Sequence, residues 1–381
     1  MLKKTGILLL SFLLFVSAAG ISPPAKAEGI GVSAKSAVLI CADTGRVLFE
    51  KNANEKLPMA STTKIMTALL ALEAAQAENT EITITDEMVR VEGSSMGLLP
   101  GYVIKLDDVV KGMMMCSGND AATTAAYAVA GSPEKFSKLM NEKASQIGMK
   151  NSHFVTPSGL DAEDHYSTAY DMALLGAYAM ENQSFYDIVS KKSQTVNLIK
   201  PAQKQTFQNH NRLLSLYDKC VGIKTGFTKK SGRCLVSCAE KDGVRLIAVT
   251  LNAPDDWNDH INLYNYGFDR MTSVSFSGGQ QEYSLPVVGG VKGNVPVRGN
   301  KDAKVTVPKE DAENIETRVE LPAFEYAPIR QGQPVGKVRY LVEGKEVASI
   351  DLIASRDVEI LYVEKSFWKK LSDFFKNLFR W

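Results

Sequence analysis

The chain has 381 residues, of which 45% are hydrophobic and 23% are charged, so it can bury a large core and is neither disordered nor wholly embedded in a membrane. Its 44 lysines and arginines nearly balance 43 aspartates and glutamates, which leaves a net charge of +1. This balance excludes a nucleic-acid-binding protein held by bulk positive charge, and the length favours more than one domain.

The first 27 residues have the composition of an export signal. Two lysines precede an apolar run over residues 7–19, and the small residues Ala25 and Ala27 end the segment. The run is shorter than the roughly 20 residues of a spanning helix, so an uncleaved anchor is the weaker alternative. We predict that residues 1–27 are a signal peptide, that cleavage follows Ala27, and that the protein is exported.

The predicted elements of residues 28–272 run from a hairpin to helices and then to strands. Two β-prone runs, 36–41 and 47–50, flank the turn residues Asp43-Thr44-Gly45. Apolar residues then recur at helical spacing. The predicted helices run from Ser61 to before Thr80 and over 106–115, 120–130, 132–147, 167–180 and 256–268, and the predicted strands span 221–225, 234–238 and 245–251. These patterns alone indicate a mixed helix and strand domain.

Composition changes after residue 272. Two glycine pairs and two prolines lie among valines in residues 275–298, and short β-prone runs alternate with turn residues as far as Glu364. We predict a separate, small all-β domain over residues 273–364.

The last segment, residues 365–381, predicts an amphipathic helix. At 100° per residue its apolar side chains share one arc, opposite a mainly cationic face. The arc comprises Phe367, Trp368, Leu371, Phe374, Phe375, Leu378, Phe379 and Trp381. The pattern is typical of a helix that lies in a membrane surface, whereas docking on its own domain is the ordinary alternative. We predict peripheral attachment to the outer face of the cytoplasmic membrane through residues 365–381.

The near-neutral net charge is a sum of unlike parts. The tail segment carries +4 and the leader carries +3, so residues 28–364 carry −6.

Five cysteines form a poor disulfide framework in a long exported chain, because their number is odd and their spacing wide. We expect mainly buried or free thiols, with Cys234 and Cys238 spaced for one face of a strand. The four scattered histidines lack zinc-site spacing, so neither a metal site nor a cofactor is expected.

Three short motifs carry candidate chemistry. Ser61-Thr62-Thr63-Lys64 places a hydroxyl and an amine on one helix face. The S-x-x-K pattern also occurs at Ser132, better explained as a helix cap before proline, and at Ser366 in the tail. Only Ser61 stands between an irregular approach and a long apolar helix.

The other two motifs are equally weak in isolation. Ser117-Gly118-Asn119 joins two helical patterns, where a helix cap is the commoner use of such residues. Lys224-Thr225-Gly226 ends an apolar run, and similar triplets occur at residues 4–6 and 230–232.

Taken together and in this order, the motifs resemble the S-x-x-K, S-D-N and K-T-G set of penicillin-binding proteins and class A β-lactamases. The stretches Thr156–Asp161 and His165–Ala173 further resemble the D-alanyl-D-alanine carboxypeptidases, the low-molecular-mass penicillin-binding proteins of serine peptidase family S11. The resemblance covers about residues 36–271. It implies an α/β (α+β) catalytic domain of the β-lactamase and penicillin-binding-protein type, with an antiparallel sheet flanked by helices, followed by a small all-β domain.

The resemblance also implies the roles of individual residues. Ser61 is the nucleophile, Lys64 its base, Ser117 a proton relay, and Asn119 a partner of Lys64 and of the substrate amide. The backbone N–H groups of Ser61 and Phe227 form the oxyanion hole. The substrate-binding strand comprises Lys224, Thr225, Gly226, Phe227 and Thr228. The implied reaction removes the terminal D-alanine from peptidoglycan stem pentapeptides during cell-wall biogenesis, in vegetative wall trimming or spore cortex maturation, and β-lactams inhibit it.

Three alternatives share these residues. A D,D-endopeptidase would use the same site on another substrate, and a non-catalytic penicillin-binding module would carry broken motifs, whereas all three motifs are intact. A β-lactamase is disfavoured because no E-x-x-x-N element lies between the second and third motifs, where a class A β-lactamase carries its deacylating glutamate, and Glu163 stands in a different context. Residues 249–269 contain no arginine or lysine, so a clamp on the substrate carboxylate must come from elsewhere, or Lys224, Thr225 and Thr228 supply it.

Overall fold

The computed structural model describes residues 30–362 and 367–378. The predicted signal peptide, residues 1–27, lies outside the described residues, as do Ser366 and residues 379–381 of the predicted tail helix.

The first region, up to Arg270, contains two antiparallel sheets and most of the helices. Its strands are β1 (Ser36–Cys41), β2 (Val47–Lys51), β3 (Glu81–Thr83), β4 (Val103–Lys105), β5 (Ser193–Lys200), β6 (Gln203–Gln208), β7 (Cys220–Thr228), β8 (Gly232–Lys241) and β9 (Val244–Leu251). Its helices are α1 (Lys64–Ala77), α2 (Asp86–Val89), α3 (Leu106–Cys116), α4 (Asn119–Ala130), α5 (Pro133–Ile147), α6 (Ala169–Met180), α7 (Gln183–Val189), α8 (Leu213–Leu216) and α9 (Asp256–Arg270).

The main sheet has the order β2-β1-β9-β8-β7 and separates two apolar cores. Side chains alternate between the faces of a strand, so Val38 and Ile40 of β1 join one core while Leu39 joins the other. Cys234 and Cys238 of β8 share one face, as predicted. All five cysteines are free thiols.

Helix α1 passes through the larger core and positions the first motif. Nine consecutive residues, 64–72, are buried, so α1 has no solvent face in its first two turns. This burial explains why the segment is apolar on every side and not amphipathic. A short 3₁₀ helix, Ala60–Thr63, leads into α1 and carries Ser61.

The structure confirms the predicted hairpin, the five longer helices, the three later strands and α9, with ends shifted by a few residues. Ser132 caps α5, since its hydroxyl accepts from the N–H of Lys135. The smaller sheet, ordered β3-β4-β5-β6, was not predicted from the sequence. The β5–β6 hairpin is polar and largely exposed, so little apolar alternation marks it.

The second region consists of β-strands and one short 3₁₀ helix, Lys309–Asn314, before its terminal helix. Its strands are β10 (Met271–Phe276), β11 (Glu282–Val288), β12 (Asn294–Gly299), β13 (Ala303–Pro308), β14 (Glu316–Glu320), β15 (Glu325–Tyr326), β16 (Pro334–Val342) and β17 (Lys345–Ala354). β10 pairs with β13, and the other strands form one sheet in the order β14-β16-β17-β12-β11-β15 around a separate apolar core. Helix α10 (Phe367–Leu378) follows. No helix among the described residues is both long and apolar enough to cross a membrane.

Candidate active site

The first two motifs meet beneath a cleft of about 370 Å³. Ser61 and Ser117 line this cleft, and the side chain of Lys64 is fully buried below it. The Lys64 amine lies 2.9 Å from the Ser61 hydroxyl oxygen, which is the contact that the i, i+3 spacing predicted.

Lys64 makes two further contacts with oxygen atoms that cannot donate a hydrogen bond. Its amine lies 2.7 Å from the side-chain oxygen of Asn119 and 2.7 Å from the backbone carbonyl of Ser158. A neutral amine has two N–H groups and one lone pair. When both N–H groups donate to these carbonyl oxygens, the lone pair faces the Ser61 hydroxyl and can accept its proton.

Burial and a second cation lower the pKa of Lys64 well below its ordinary value of 10.5. Loss of hydration is the larger cause, and the positive charge of Lys224 is the next. Lys224 is itself buried, and burial lowers its pKa to about 8. Both causes favour the neutral form of Lys64, whereas Lys224, with a pKa of about 8, remains mostly protonated at pH 7.

The second motif owes its shape to the junction between α3 and α4. Ser117 adopts a left-handed backbone conformation (φ 61°), which ends α3 and lets α4 begin at Asn119. The Asn119 side-chain N–H donates to the carbonyl of Glu92 at 2.7 Å, so its amide orientation is held from both ends.

The third motif lies on β7, against the segment that carries Ser61. A Cβ atom on Gly226 would come within 3.0 Å of the Ser61 backbone nitrogen, a closeness that only glycine permits without displacement. Thr225, Gly226 and Phe227 line the cleft, and Phe227 is exposed. Thr228 lies at the end of β7, where its hydroxyl contacts Ser231 at 3.0 Å.

The loop that holds Lys64 from behind lies within the stretches that resemble the carboxypeptidase family. Gly159 approaches Ala60 so closely that a Cβ atom would lie 1.9 Å from the Ala60 carbonyl oxygen. The His165 ring accepts from the N–H of Val155 and contacts the Thr63 hydroxyl at 2.9 Å. Since one ring nitrogen accepts, the other carries the proton and donates to Thr63, and burial lowers the pKa of His165 to about 4. The family stretches thus fasten the loop to the start of α1.

One wall of the cleft carries arginines that were not predicted as site residues from the sequence. Arg233 on β8 stands opposite Phe227 in the strand register, and its guanidinium binds the carboxylate of Asp256 at 2.6 Å. Asp256 is buried and the Arg233 side chain is 42% exposed, so the arginine is anchored at one edge and open to the cleft. It also lies over the Trp257 ring, and His210 and Arg212 line the same cleft. The register of the β7–β8 hairpin was the one signal that could have placed Arg233 there.

Neither the cleft nor any other part of residues 30–362 and 367–378 groups three or more histidines, cysteines or acidic residues in a way that could hold a metal ion.

A five-stranded antiparallel sheet between helices, with a serine and a buried lysine at its β7 edge, is the arrangement of the serine β-lactamase and penicillin-binding-protein class. The predicted fold class is confirmed by this architecture and by the all-β region that follows.

Comparisons with known proteins narrow the class to one family. A family model described as D-alanyl-D-alanine carboxypeptidase, peptidase S11, matches residues 22–255, and one described as the C-terminal domain of penicillin-binding protein 5 matches residues 272–360. The chain therefore belongs to the D-alanyl-D-alanine carboxypeptidase family S11, as its motifs predicted, and it is a serine hydrolase of the penicillin-binding-protein class.

Relatives match over nearly the whole chain. D-alanyl-D-alanine carboxypeptidase DacF of Bacillus subtilis is 32% identical over 93% of this chain and 92% of its own length, and DacC of Escherichia coli is 35% identical over 91% and 88%. The crystal structure of penicillin-binding protein 5 from Haemophilus influenzae is similar with a TM-score of 0.68 and 30% identity, and covers 89% of this chain and 100% of its own.

Proposed function

We propose that this enzyme removes the terminal D-alanine from peptidoglycan stem pentapeptides through an acyl-enzyme on Ser61. The observation that carries the proposal is the contact of 2.9 Å between the Ser61 hydroxyl and a buried amine whose N–H groups have two carbonyl acceptors. Such an amine can remove the serine proton without a histidine.

In the first step, the Ser61 oxygen attacks the carbonyl carbon of the penultimate D-alanine while Lys64 takes its proton. The C–N bond of the terminal D-alanine then breaks, and its nitrogen receives a proton from Lys64 through the Ser117 hydroxyl. Asn119 keeps Lys64 oriented and offers its second N–H to the substrate amide. The cleft that Ser61 and Ser117 share, and the contacts of Lys64 with Ser61 and Asn119, support these roles.

The negative oxygen of the intermediate lies between the backbone N–H groups of Ser61 and Phe227. The close approach of Gly226 to Ser61 supports this role, because it brings β7 and the 3₁₀ helix side by side. Removing one oxyanion donor typically costs about 2.7 to 4 kcal/mol of transition-state stabilisation.

The substrate carboxylate is bound by Lys224 and Thr225 together with Arg233. Arg233 supplies the arginine that residues 249–269 lack, and its anchor on Asp256 holds the guanidinium fork in place for a carboxylate. Gly226 and Phe227 shape the same wall, and Thr228 supports it through the β7–β8 turn.

Water then attacks the ester carbonyl while the regenerated neutral Lys64 takes its proton. The bond between the acyl carbon and the Ser61 oxygen breaks, Lys64 returns the proton to that oxygen, and the shortened peptide leaves. β-Lactams acylate the same serine and stay bound for longer, because the cleft lacks a spare carboxylate to drive their hydrolysis. Asp256 is the one carboxylate among the residues that line the cleft in the described part of the chain, and it is paired with Arg233, while Glu163 is exposed. This pairing argues against the β-lactamase alternative.

The same chemistry would serve a D,D-endopeptidase, and the reaction products separate the two activities. Wall peptides incubated with the enzyme are expected to lose one alanine per pentapeptide stem, as measured by mass spectrometry. Release of cross-linked stems without free D-alanine would establish the endopeptidase. Binding of penicillin with neither product would reveal a non-catalytic module.

Deleting the enzyme's gene separately during growth and during sporulation would separate a role in vegetative wall trimming from one in spore cortex maturation.

Export and membrane attachment complete the proposal. Residues 1–27 direct export, and residues 365–381 hold the enzyme at the outer face of the cytoplasmic membrane. Within α10, Phe374 and Phe375 are exposed, as are Lys369 and Lys376. Deleting residues 365–381 should move the protein from the membrane to the soluble fraction, whereas unchanged retention would point to an uncleaved leader.

A further inference from the structure

Three segments of the second region are hydrogen-bonded to one another beside its outer strand β15. The N–H of Ala327 donates to the carbonyl of Val288 at 3.0 Å, and the N–H of Leu361 donates to the carbonyl of Gly289 at 2.7 Å. Val288 also stands opposite Tyr326 in the parallel pairing of β11 and β15. Residues 288–291, 324–327 and 359–362 therefore form one continuous edge of the fold.

This edge exposes large apolar side chains. Tyr326 is 67% exposed and Tyr362 is 85% exposed, and the rings of Phe324 and Tyr326 contact edge to face at 5.4 Å. We define the apolar edge as Val288, Val291, Phe324, Tyr326, Ile360, Leu361 and Tyr362. A soluble surface rarely groups so many apolar residues unless they meet a partner.

The chain connects the apolar edge directly to the tail helix. Tyr362 precedes the start of α10, Phe367, by five residue steps, which span at most about 18 Å even when fully extended. If α10 lies in a membrane surface, Tyr362 at the end of the apolar edge lies within about that distance of the same surface.

The chemistry of the apolar edge also suits a lipid interface. Tyrosine is enriched at the level of the lipid headgroups, because its ring is apolar and its hydroxyl is polar. Lys292 is exposed next to Val291 and can meet an anionic headgroup. The neighbouring carboxylate of Glu359 is paired with Arg330 at 2.5 Å, so it does not approach the lipid as an isolated negative charge.

We propose that the apolar edge is a second membrane contact, whose ligand is the headgroup and upper acyl region of an anionic phospholipid surface. The proposal rests on the membrane role of residues 365–381 proposed above. Two contacts joined by a short link bind the membrane more tightly than one, because the second contact forms at a high effective concentration. They also fix the tilt of the β-rich region, which a single flexible anchor would not do.

The test is co-flotation of the chain from Glu28 with vesicles of phosphatidylethanolamine and phosphatidylglycerol. The edge variant carries Tyr326→Ser, Leu361→Ser and Tyr362→Ser, and we expect it to partition onto vesicles at least about tenfold more weakly, since three large side chains no longer enter the interface. A matched control replaces three exposed apolar residues elsewhere, Tyr178→Ser, Leu216→Ser and Val319→Ser, and should partition as the unchanged chain does. Both variants should release D-alanine from a soluble pentapeptide at the unchanged rate, which shows that they fold.

The other outcomes distinguish this inference from the proposals on which it rests. If deleting residues 365–381 abolishes flotation while the edge variant floats normally, the tail is the sole anchor and the apolar edge serves another partner, which overturns the inference. If the edge variant floats better than the unchanged chain, the edge is a cover for the tail helix and the inference is equally wrong. Loss of D-alanine release in the unchanged chain would contradict the proposed activity and leave the flotation result standing.

Discussion

The two regions of the molecule place their polar and apolar groups in opposite ways. The first region buries many polar and charged side chains, including Lys64, Lys224 and Asp256, whereas among the described residues after Arg270 only Thr306 is a buried polar residue. The β-rich region instead exposes its ion pairs and a continuous apolar edge. Burying ionisable groups is costly, so the burial of two lysines and an aspartate around one cleft indicates that catalysis, more than stability, determined these residues.

Removing the buried amine of Lys64 is expected to have the largest effect on activity. Lys64→Met keeps nearly the same volume, so α1 should stay packed, but no base remains for Ser61. We expect the rate of acylation by a fluorescent penicillin to fall about 10²- to 10⁴-fold, as measured by stopped-flow or gel labelling.

Lys337→Met is the matched control, because this lysine forms an exposed ion pair with Asp351 in the β-rich region. It should acylate at the normal rate. Rapid acylation of the Lys64→Met protein would mean that another group activates the serine.

The pH profile tests the second buried lysine. The pKa of Lys224 is lowered to about 8, so its charge, and with it the binding of the substrate carboxylate, is lost as the pH rises through that value. We expect kcat/KM for a pentapeptide to fall about tenfold per pH unit above pH 8.

In Lys224→Arg the charge persists, because the arginine pKa exceeds about 12, and the alkaline decline should move to higher pH. An alkaline limb that stays near pH 8 in this variant would show that Lys224 is not its source.

The ion pair of Arg233 with Asp256 is expected to affect substrate binding, whereas the exposed ion pairs of the β-rich region are not. Arg233→Ala combined with Asp256→Asn removes the cation without leaving a buried charge, and should raise KM about 10- to 100-fold with a smaller change in kcat. Arg339→Ala, which breaks exposed pairs with Glu320 and Glu346, should leave both constants unchanged. An unchanged KM in the double variant would remove Arg233 from the carboxylate site.

We expect the free energy of unfolding to fall between pH 7 and pH 5 because of buried histidines, all of which lie in the first region. Burial lowers the pKa of His165 to about 4 and of His260 to about 3, against an ordinary 6.5, and the β-rich region contains no histidine. Below pH 6.5 these two histidines bind protons in the unfolded chain but stay neutral in the folded chain. The free energy of unfolding therefore falls as the pH falls, by roughly 2 kcal/mol per histidine at pH 5.

This effect can be measured by thermal unfolding of a protein that lacks residues 365–381, since Trp257 is then the one remaining tryptophan and reports the first region. His165→Gln should lose part of the pH dependence, whereas His153→Gln, at an exposed ring, should retain it. Equal stability at pH 7 and pH 5 would contradict buried neutral histidines.

The three motifs could be identified from the sequence for two reasons. The contact between Ser61 and Lys64 is local, and the set of motifs recurs in penicillin-binding proteins. Ser61 and Lys64 are neighbours on a helix turn, and the order of the three motifs indicated the fold. The contact of Lys64 with the Ser158 carbonyl joins residues 94 positions apart, and only the tertiary fold of the loop creates it. No local pattern distinguishes such a backbone acceptor from any other.

Arg233 and the β5–β6 hairpin were missed for different physical reasons. The position of Arg233 depends on strand register, and a shift of one residue would turn its side chain to the other face of the sheet. The hairpin lies at an exposed edge of its sheet. Few of its side chains are buried, so its sequence lacks the regular alternation of apolar and polar residues that predicts a strand.

Formation of an acyl-enzyme on Ser61 can be tested by intact-protein mass spectrometry after incubation with benzylpenicillin, followed by peptide mapping. Opening of the β-lactam ring adds the whole mass of the antibiotic, and the adduct should map to the peptide that contains Ser61. Ser61→Ala should show no adduct, and neither should it release D-alanine from a pentapeptide. A covalent adduct on the Ser61→Ala protein would show that Ser61 is not the nucleophile.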